Sequence, residues 1–282
     1  VNQERLNQIA APLPALRVAN PLSPEQEYMR TSLRSSLLST LSYNQRYDDR
    51  NICLFEIGRI YLPRQNDIPD ERETLAVIAA GSQPQLSWLK EETRFTAARG
   101  FYDIKGIAEA LLSKLGVSAV FEQGNDPFLH PIRQATINAQ STQVGKLGEI
   151  HPQIAEAFSV SRQVGTYWLE IDLPALMSIT TASHTFKSIP RFPAVLRDIA
   201  LVLDQPIPTR NVERIVQTEP LVAQVTPFDI YTGPPIPPGK KSLAYRLVYQ
   251  SPDRTLTDEE VDKVQERILS RLQGELGATL RT

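Results

Sequence analysis

The segment that most restricts the fold begins at Thr257. Thr257 and Glu260 stand as N-cap and N3 of a capping box, and Asp258 and Glu259 place negative charge at the positive end of a helix dipole. Val261, Val264, Ile268, Leu272 and Leu276 then recur at helical spacing, which predicts one long helix over 258–276 with a single apolar stripe. Such a stripe needs a surface to cover, and the residues before it supply one. Alternating apolar runs predict strands over 197–203, 222–231 and 242–249, with a helix over 209–218 and a last strand over 278–281. The order strand, helix, strand, strand, helix, strand predicts a ferredoxin-like βαββαβ domain, both helices on one sheet face and the other face open.

Upstream the pattern is mixed. Ser23-Pro24-Glu25-Gln26 carries the signals of a short helical turn, and Leu33, Leu37, Leu38 and Leu41 share one face of a helix over 32–43. The apolar runs 52–61 and 75–80 read as strands buried on both faces. Ile104, Ile107, Ala108, Leu111, Leu112 and Leu115 mark a second helix, closed by Gly116, and strands follow over 134–138, 144–150 and 167–173. The fold class is α+β around a largely antiparallel sheet. The polar run Thr180-Thr181-Ala182-Ser183-His184-Thr185 is the natural seam, giving domains over 1–180 and 187–282. A chain of 282 residues is long enough for both.

Composition narrows the chemistry. No run of about 20 apolar residues exists to cross a membrane, and the N-terminus lacks the basic-then-apolar pattern of a secretory signal. Cys53 is the only cysteine, so an internal disulfide and a thiolate metal cluster are both excluded, and a cytoplasmic location is expected. His130, His151 and His184 are too scattered for a metal site, and capping or solvated roles are expected of them. No glycine-rich phosphate loop or serine elbow is present, and Gly145 and Gly148 read as part of a hairpin turn. The net charge is −2, and residues 187–282 carry 13 basic against 12 acidic side chains. Any contact with a polyanion must therefore come from a local patch.

The open face of the second domain supplies a candidate. Asp229 and Tyr231 point one way and Phe228 and Ile230 the other, while Ser242, Ala244, Arg246 and Val248 alternate with Leu243, Tyr245, Leu247 and Tyr249. With the more apolar sets on the helices, Asp229, Tyr231 and Ser242 lie on the exposed face, and Lys240 and Lys241 sit at the connecting loop. An aromatic platform beside an acceptor and flanking lysines suits single-stranded RNA, since bases stack on aromatics and lysines hold phosphates.

Several runs carry a resemblance. Phe192-Pro193-Ala194-Val195-Leu196-Arg197-Asp198-Ile199-Ala200, Phe228-Asp229-Ile230-Tyr231-Thr232-Gly233, Gly239-Lys240-Lys241-Ser242-Leu243-Ala244 and Arg254-Thr255-Leu256-Thr257-Asp258-Glu259-Glu260 resemble the ferredoxin-fold anticodon-binding domain that ends bacterial phenylalanine–tRNA ligase β subunits. Asn20-Pro21-Leu22-Ser23, Met29-Arg30-Thr31-Ser32-Leu33, Phe55-Glu56-Ile57-Gly58-Arg59, Tyr102-Asp103-Ile104-Lys105-Gly106 and Gly148-Glu149-Ile150-His151-Pro152 are similar to that subunit's class II synthetase-like module. Family subunits extend several hundred residues further at the N-terminus, so the chain resembles their C-terminal part.

The resemblance implies a module that is a degenerate copy of a catalytic domain, with the active site on an α subunit. The residues agree: catalytic class II domains place an arginine two residues before a glutamate and end a later glycine-rich segment in arginine, to clamp ATP's phosphates. Leu54-Phe55-Glu56 has no such arginine, and Tyr167-Trp168-Leu169-Glu170-Ile171-Asp172 has neither glycine nor arginine. Structural roles are therefore expected for Glu56 and Arg59. The resemblance further implies an assembly of two α and two β subunits that joins phenylalanine to its tRNA, with ATP and Mg²⁺ on the α subunit and no cofactor on this chain. It assigns guanine reading to Asp229 and Ser242 and stacking to Tyr231. A carboxylate can accept guanine's adjacent N1–H and N2–H together, whereas adenine presents an acceptor at N1; phenylalanine tRNA begins its anticodon with guanine. The rival readings are a freestanding RNA-binding protein without a catalytic partner and a freestanding ATP-dependent enzyme.

Overall fold

The computed structural model describes residues 3–9, 15–47, 51–64, 67–82, 99–161, 165–180 and 190–281. The chain forms two compact units, Val1–His184 and Thr185–Thr282. The polar seam falls mostly outside the described residues, as does His184.

The first unit contains helices α1 (Gln3–Gln8), α2 (Arg34–Gln45), α3 (Phe101–Lys114), α4 (Pro152–Ala157) and α5 (Leu173–Ile179). Its strands are β1 (Asn51–Arg64), β2 (Asp67–Gly81), β3 (Val120–Gln123), β4 (Leu129–Ala139), β5 (Thr142–Ile150) and β6 (Thr166–Asp172). They form one six-stranded sheet in the order β1-β2-β6-β5-β4-β3, antiparallel throughout. Each sheet face has its own core. Ala76, Ile78, Ala80 and Trp168 pack with Leu37, Leu38 and Leu41 of α2, while Leu75, Val77, Ala79, Leu169 and Ile171 pack with Ile104, Ala108 and Leu112 of α3 and Leu176 of α5. This is why the run 75–80 is continuously apolar: successive side chains enter opposite cores.

The similar run in β1 has a different outcome. β1 is an edge strand, and only alternate residues reach a core: Ile52, Leu54 and Ile60 pack inward, while Phe55 and Ile57 on the other face are exposed and Cys53 is also exposed. Apolarity alone does not say whether a neighbour covers both faces, and among the described residues no helix covers the face that carries Phe55 and Ile57. The elements α1, β3, α4 and α5 have no counterpart in the sequence reading, because runs of four to seven residues are too short for a periodic signal. Gly145 and Gly148 lie within β5, not in a turn; the hairpin between β4 and β5 turns through Gln140 and Ser141, both at positive φ. A Cβ on Gly148 would stand 2.6 Å from the Arg133 carbonyl oxygen, so the close approach of β4 requires glycine there.

The second unit contains β7 (Val195–Asp204), α6 (Thr209–Val216), β8 (Val222–Tyr231), β9 (Lys240–Tyr249), α7 (Asp258–Leu276) and β10 (Thr279–Leu280), in the expected βαββαβ order. The four-stranded antiparallel sheet runs β10-β7-β9-β8. Val261, Val264, Ile268 and Leu272 of α7 and Val212, Ile215 and Val216 of α6 pack on Ile199, Leu201, Leu203, Leu243, Tyr245, Leu247 and Tyr249. The capping box forms as read: the Glu260 N–H donates to the Thr257 hydroxyl and the Thr257 N–H to the Glu260 carboxylate, an arrangement that contributes about 1 kcal/mol. Gly277 closes α7 in the left-handed conformation, φ 65°. No helix among the described residues is long and apolar enough to cross a membrane.

Candidate nucleic-acid interface

The strand register decides which side chains share the open face of the second unit. Odd-numbered residues of β7 and β9 enter the helix-covered core, so Asp198, Ala200 and Val202 of β7 and Ser242, Ala244, Arg246 and Val248 of β9 lie on the other side. On β8, Tyr231 stands opposite Ser242 and Asp229 opposite Ala244, which puts both on the open face. Asp229 is exposed and Tyr231 is 40% exposed.

Local chemistry holds the tyrosine. Its hydroxyl donates to the Pro234 carbonyl at 2.8 Å, and a Cβ on Gly233 would stand 2.5 Å from that hydroxyl oxygen. The glycine in Phe-Asp-Ile-Tyr-Thr-Gly is thus what lets the phenol fold back over the following turn. Arg281, just past β10, donates its own N–H to the Ala200 carbonyl and sends its side chain across the face. Its guanidinium stands 5.6 Å from the centre of the Tyr231 ring and donates to the Ser242 hydroxyl at 3.4 Å. Ser242, on this face in register, is only 3% exposed and lies covered rather than open as the alternation suggested.

The two lysines separate. Both begin β9 rather than sitting in the loop. Lys240, opposite Asp204, is partly exposed and pairs with its carboxylate at 3.1 Å. Lys241, opposite Leu203, turns to the helix-covered side, is 8% exposed, and burial lowers its pKa. The structure therefore brings Asp229, Tyr231, Ser242 and Lys240 to one face and leaves Lys241 off it.

Sequence reading missed two arginines. Arg281 follows a two-residue strand that gives no periodic signal. Arg246 was on the right face but without an evident partner; it donates twice to Asp198, at 2.9 and 2.8 Å, a bond that lowers the aspartate's pKa. A β-bulge between Pro227 and Asp229 shifts the β8 register. Phe228, expected on the opposite side, consequently stands with its ring 5.4 Å from the Arg246 guanidinium.

Charge is arranged differently in the first unit. The Arg34 side chain is 4% exposed and pairs with Asp126 and, at 3.4 Å, with Glu170; Lys146 pairs with the same carboxylates at 2.9 and 3.3 Å. The Trp168 indole N–H donates to Glu170, and Arg34 lies over the Phe128 ring at 4.3 Å. Burial would raise the Asp126 pKa, but the Arg34 and Lys146 charges outweigh it and bring it to about 2. The adjoining cavity, about 360 Å³, is lined by Arg34, Arg72, Lys146, Glu170 and Asp172 among others. Its cations already face carboxylates, Arg72 meeting Asp70 and Asp172, so the residues present do not fit the triphosphate of ATP. Glu56 accepts from Arg30 at 2.6 Å and from the Ser36 hydroxyl at 3.1 Å, and Arg59 pairs with Glu71 at the surface. His151 caps α4 through Nδ1, and His130 accepts from the N–H groups of Ile132 and Arg133. Among the described residues no group of three His, Cys, Asp or Glu could hold a metal ion.

Comparison with known proteins adds the following. Residues 1–173 match the family model described as the phenylalanyl tRNA synthetase beta chain CLM domain, and residues 190–281 match the ferredoxin-fold anticodon binding domain. The chain is 44% identical over 267 residues to a phenylalanine–tRNA ligase beta subunit of Dehalococcoides mccartyi, covering 95% of this chain and 32% of that protein. It is 36% identical over 271 residues to the subunit of the same name from Syntrophotalea carbinolica, covering 94% of this chain and 33% of that protein. The chain thus spans about a third of the length of these curated relatives. A solved pyrrolysyl tRNA synthetase from Desulfitobacterium hafniense aligns with a TM-score of 0.46 at 16% identity, over 64% of this chain and 57% of that one.

Proposed function

The chain belongs to the phenylalanyl-tRNA synthetase beta chain family, and from that premise we propose that it is the part of the subunit that scaffolds a catalytic α subunit and reads the anticodon of phenylalanine tRNA. The observation that carries the proposal is the open face of the second unit, where Asp229 and Tyr231 project from β8 within the segment similar to anticodon-binding domains. The α subunit of an assembly of two α and two β chains would bind ATP and Mg²⁺ and perform the ligation in the cytoplasm. The paired charges around Arg34 support this division of labour, since Arg34, Arg72 and Lys146 at that cavity already face carboxylates rather than a phosphate. The exposed apolar side chains Phe55 and Ile57 on the edge strand β1 offer a surface for the catalytic partner.

Guanine at the first anticodon position would stack on Tyr231 and donate N1–H and N2–H to the Asp229 carboxylate. Ser242 would act beneath Arg281, orienting that guanidinium, and Lys240 would meet a phosphate. The test is charging by the complete enzyme with tRNA carrying guanine or adenine at that position. Wild type should discriminate strongly, and Asp229→Ala should lose roughly 1.5–3 kcal/mol of the discrimination, the range for a hydrogen bond to a charged group. Equal penalties in both enzymes place guanine reading elsewhere. Tight, anticodon-indifferent RNA binding with no gain from added α subunit would instead support the freestanding RNA-binding protein.

A further inference from the structure

The anticodon reading assigns one aromatic on the open face, but the bulge in β8 brings a second to it. Phe228 lies within β8 and is 54% exposed. It is held in place from one side: Arg246 stands beside the ring, and the doubly hydrogen-bonded Asp198 fixes that guanidinium in turn. Pro227 immediately before it fits the bulge, because proline cannot supply the N–H that a regular ladder would use.

We propose that Phe228, braced by Arg246 and Asp198, is a second stacking site that takes an unpaired RNA base next to the one on Tyr231. This rests on the anticodon reading above. Three residues of strand separate the two rings, about 10 Å at 3.3 Å per residue. That is far beyond the roughly 3.4 Å of a stacked base step, so the face suits bases splayed apart, the form in which single-stranded loops are recognised. The two sites differ in chemistry. Tyr231 has the Asp229 carboxylate near it to read a base edge, whereas the guanidinium beside Phe228 is already engaged by Asp198. The Phe228 site therefore contributes affinity without choosing among bases.

The experiment uses the full chain and anticodon stem-loop RNAs of phenylalanine tRNA, measured by fluorescence anisotropy. One RNA series carries 2-aminopurine at each loop position in turn, and another carries an abasic nucleotide there. Phe228→Ala should weaken binding roughly fivefold to a hundredfold, the range for one base–aromatic stack. Phe228→Trp should retain affinity, and Phe228→Leu, which keeps bulk without a π face, should behave as alanine does. One loop position should lose its 2-aminopurine quenching in Phe228→Ala, and an abasic nucleotide there should weaken wild type without weakening Phe228→Ala further. Exchanging the natural base at that position should change wild-type affinity little. Binding that depends on Tyr231 and is indifferent to Phe228→Ala and Phe228→Leu overturns the second site alone. Indifference to Tyr231→Ala as well, or no binding by wild type, overturns the anticodon reading and this site with it.

Discussion

The two units place similar side chains in opposite surroundings. Around Arg34 two cations and two carboxylates are drawn inside the first unit and neutralise one another, with the Phe128 ring against the guanidinium. On the second unit's sheet, Arg246, Arg281, Asp198 and Asp229 stand beside Phe228 and Tyr231, with the rings at least two-fifths exposed. The ingredients are alike in kind, and the difference is what they can still bind. A buried charge must be matched inside the protein, because its lost hydration costs several kcal/mol, and once matched it has nothing left for a ligand. A charge beside an exposed ring keeps its hydration and can exchange it for a phosphate or a base.

The largest effect expected from this contrast follows removal of Arg34. Arg34→Met leaves Asp126 and Glu170 with Lys146 alone, and the first unit should lose roughly 3–5 kcal/mol, the range for breaking a buried pair from one side. Both tryptophans belong to that unit, so urea unfolding followed by tryptophan fluorescence reports it directly. Arg34→Lys, which keeps the charge, should lose less, and stem-loop binding should be unchanged in either. A drop in RNA affinity with no change in unfolding would mean that Arg34 serves a ligand, and the contrast between the units would fail.

Acid should produce the next largest effect. The Asp126 carboxyl titrates near 2 rather than at its ordinary 3.8, so its pairing stabilises the first unit fully above pH 4. That stability disappears as the pH falls from about 4 to 2, for a loss of roughly 2 kcal/mol. Asp126→Asn should flatten this limb of the unfolding profile between pH 4 and 2. An identical limb in the variant would assign the acid sensitivity to other carboxylates.

How much of this was legible depends on the distance over which the signal acts. α7 could be read to the residue because its capping box and stripe are local, and the faces of β9 followed from alternation once the sheet was granted two helices. The pairing of Arg34 with Asp126 and Glu170 spans 92 and 136 residues, and no local pattern announces it. The composition of β1 matches a central strand while its position is an edge, so burial of both its faces does not follow from its sequence. Strict counting in twos places Phe228 on the opposite face, because it takes no account of the bulge. Pro227 was the available signal, since a proline inside a strand marks an edge or a bulge.

The smallest effect separates two adjacent lysines that the sequence presented as a pair. Lys240 shares the open face and is partly exposed, though Asp204 competes for it. Lys241 faces the core side and is almost covered. If a phosphate lies over the open face, Lys240→Ala should lower the slope of log affinity against log salt by up to about one. The cost should be less than about 1 kcal/mol, comparable to an exposed ion pair, and the same for every loop sequence, because a phosphate contact carries no base identity. Lys241→Met, which keeps an apolar stem on the core side, should leave both slope and affinity where they were. Equal reductions from the two variants would mean that the backbone passes the end of β9 instead of crossing the face, and Tyr231 and Phe228 could not then both be covered by one strand of RNA.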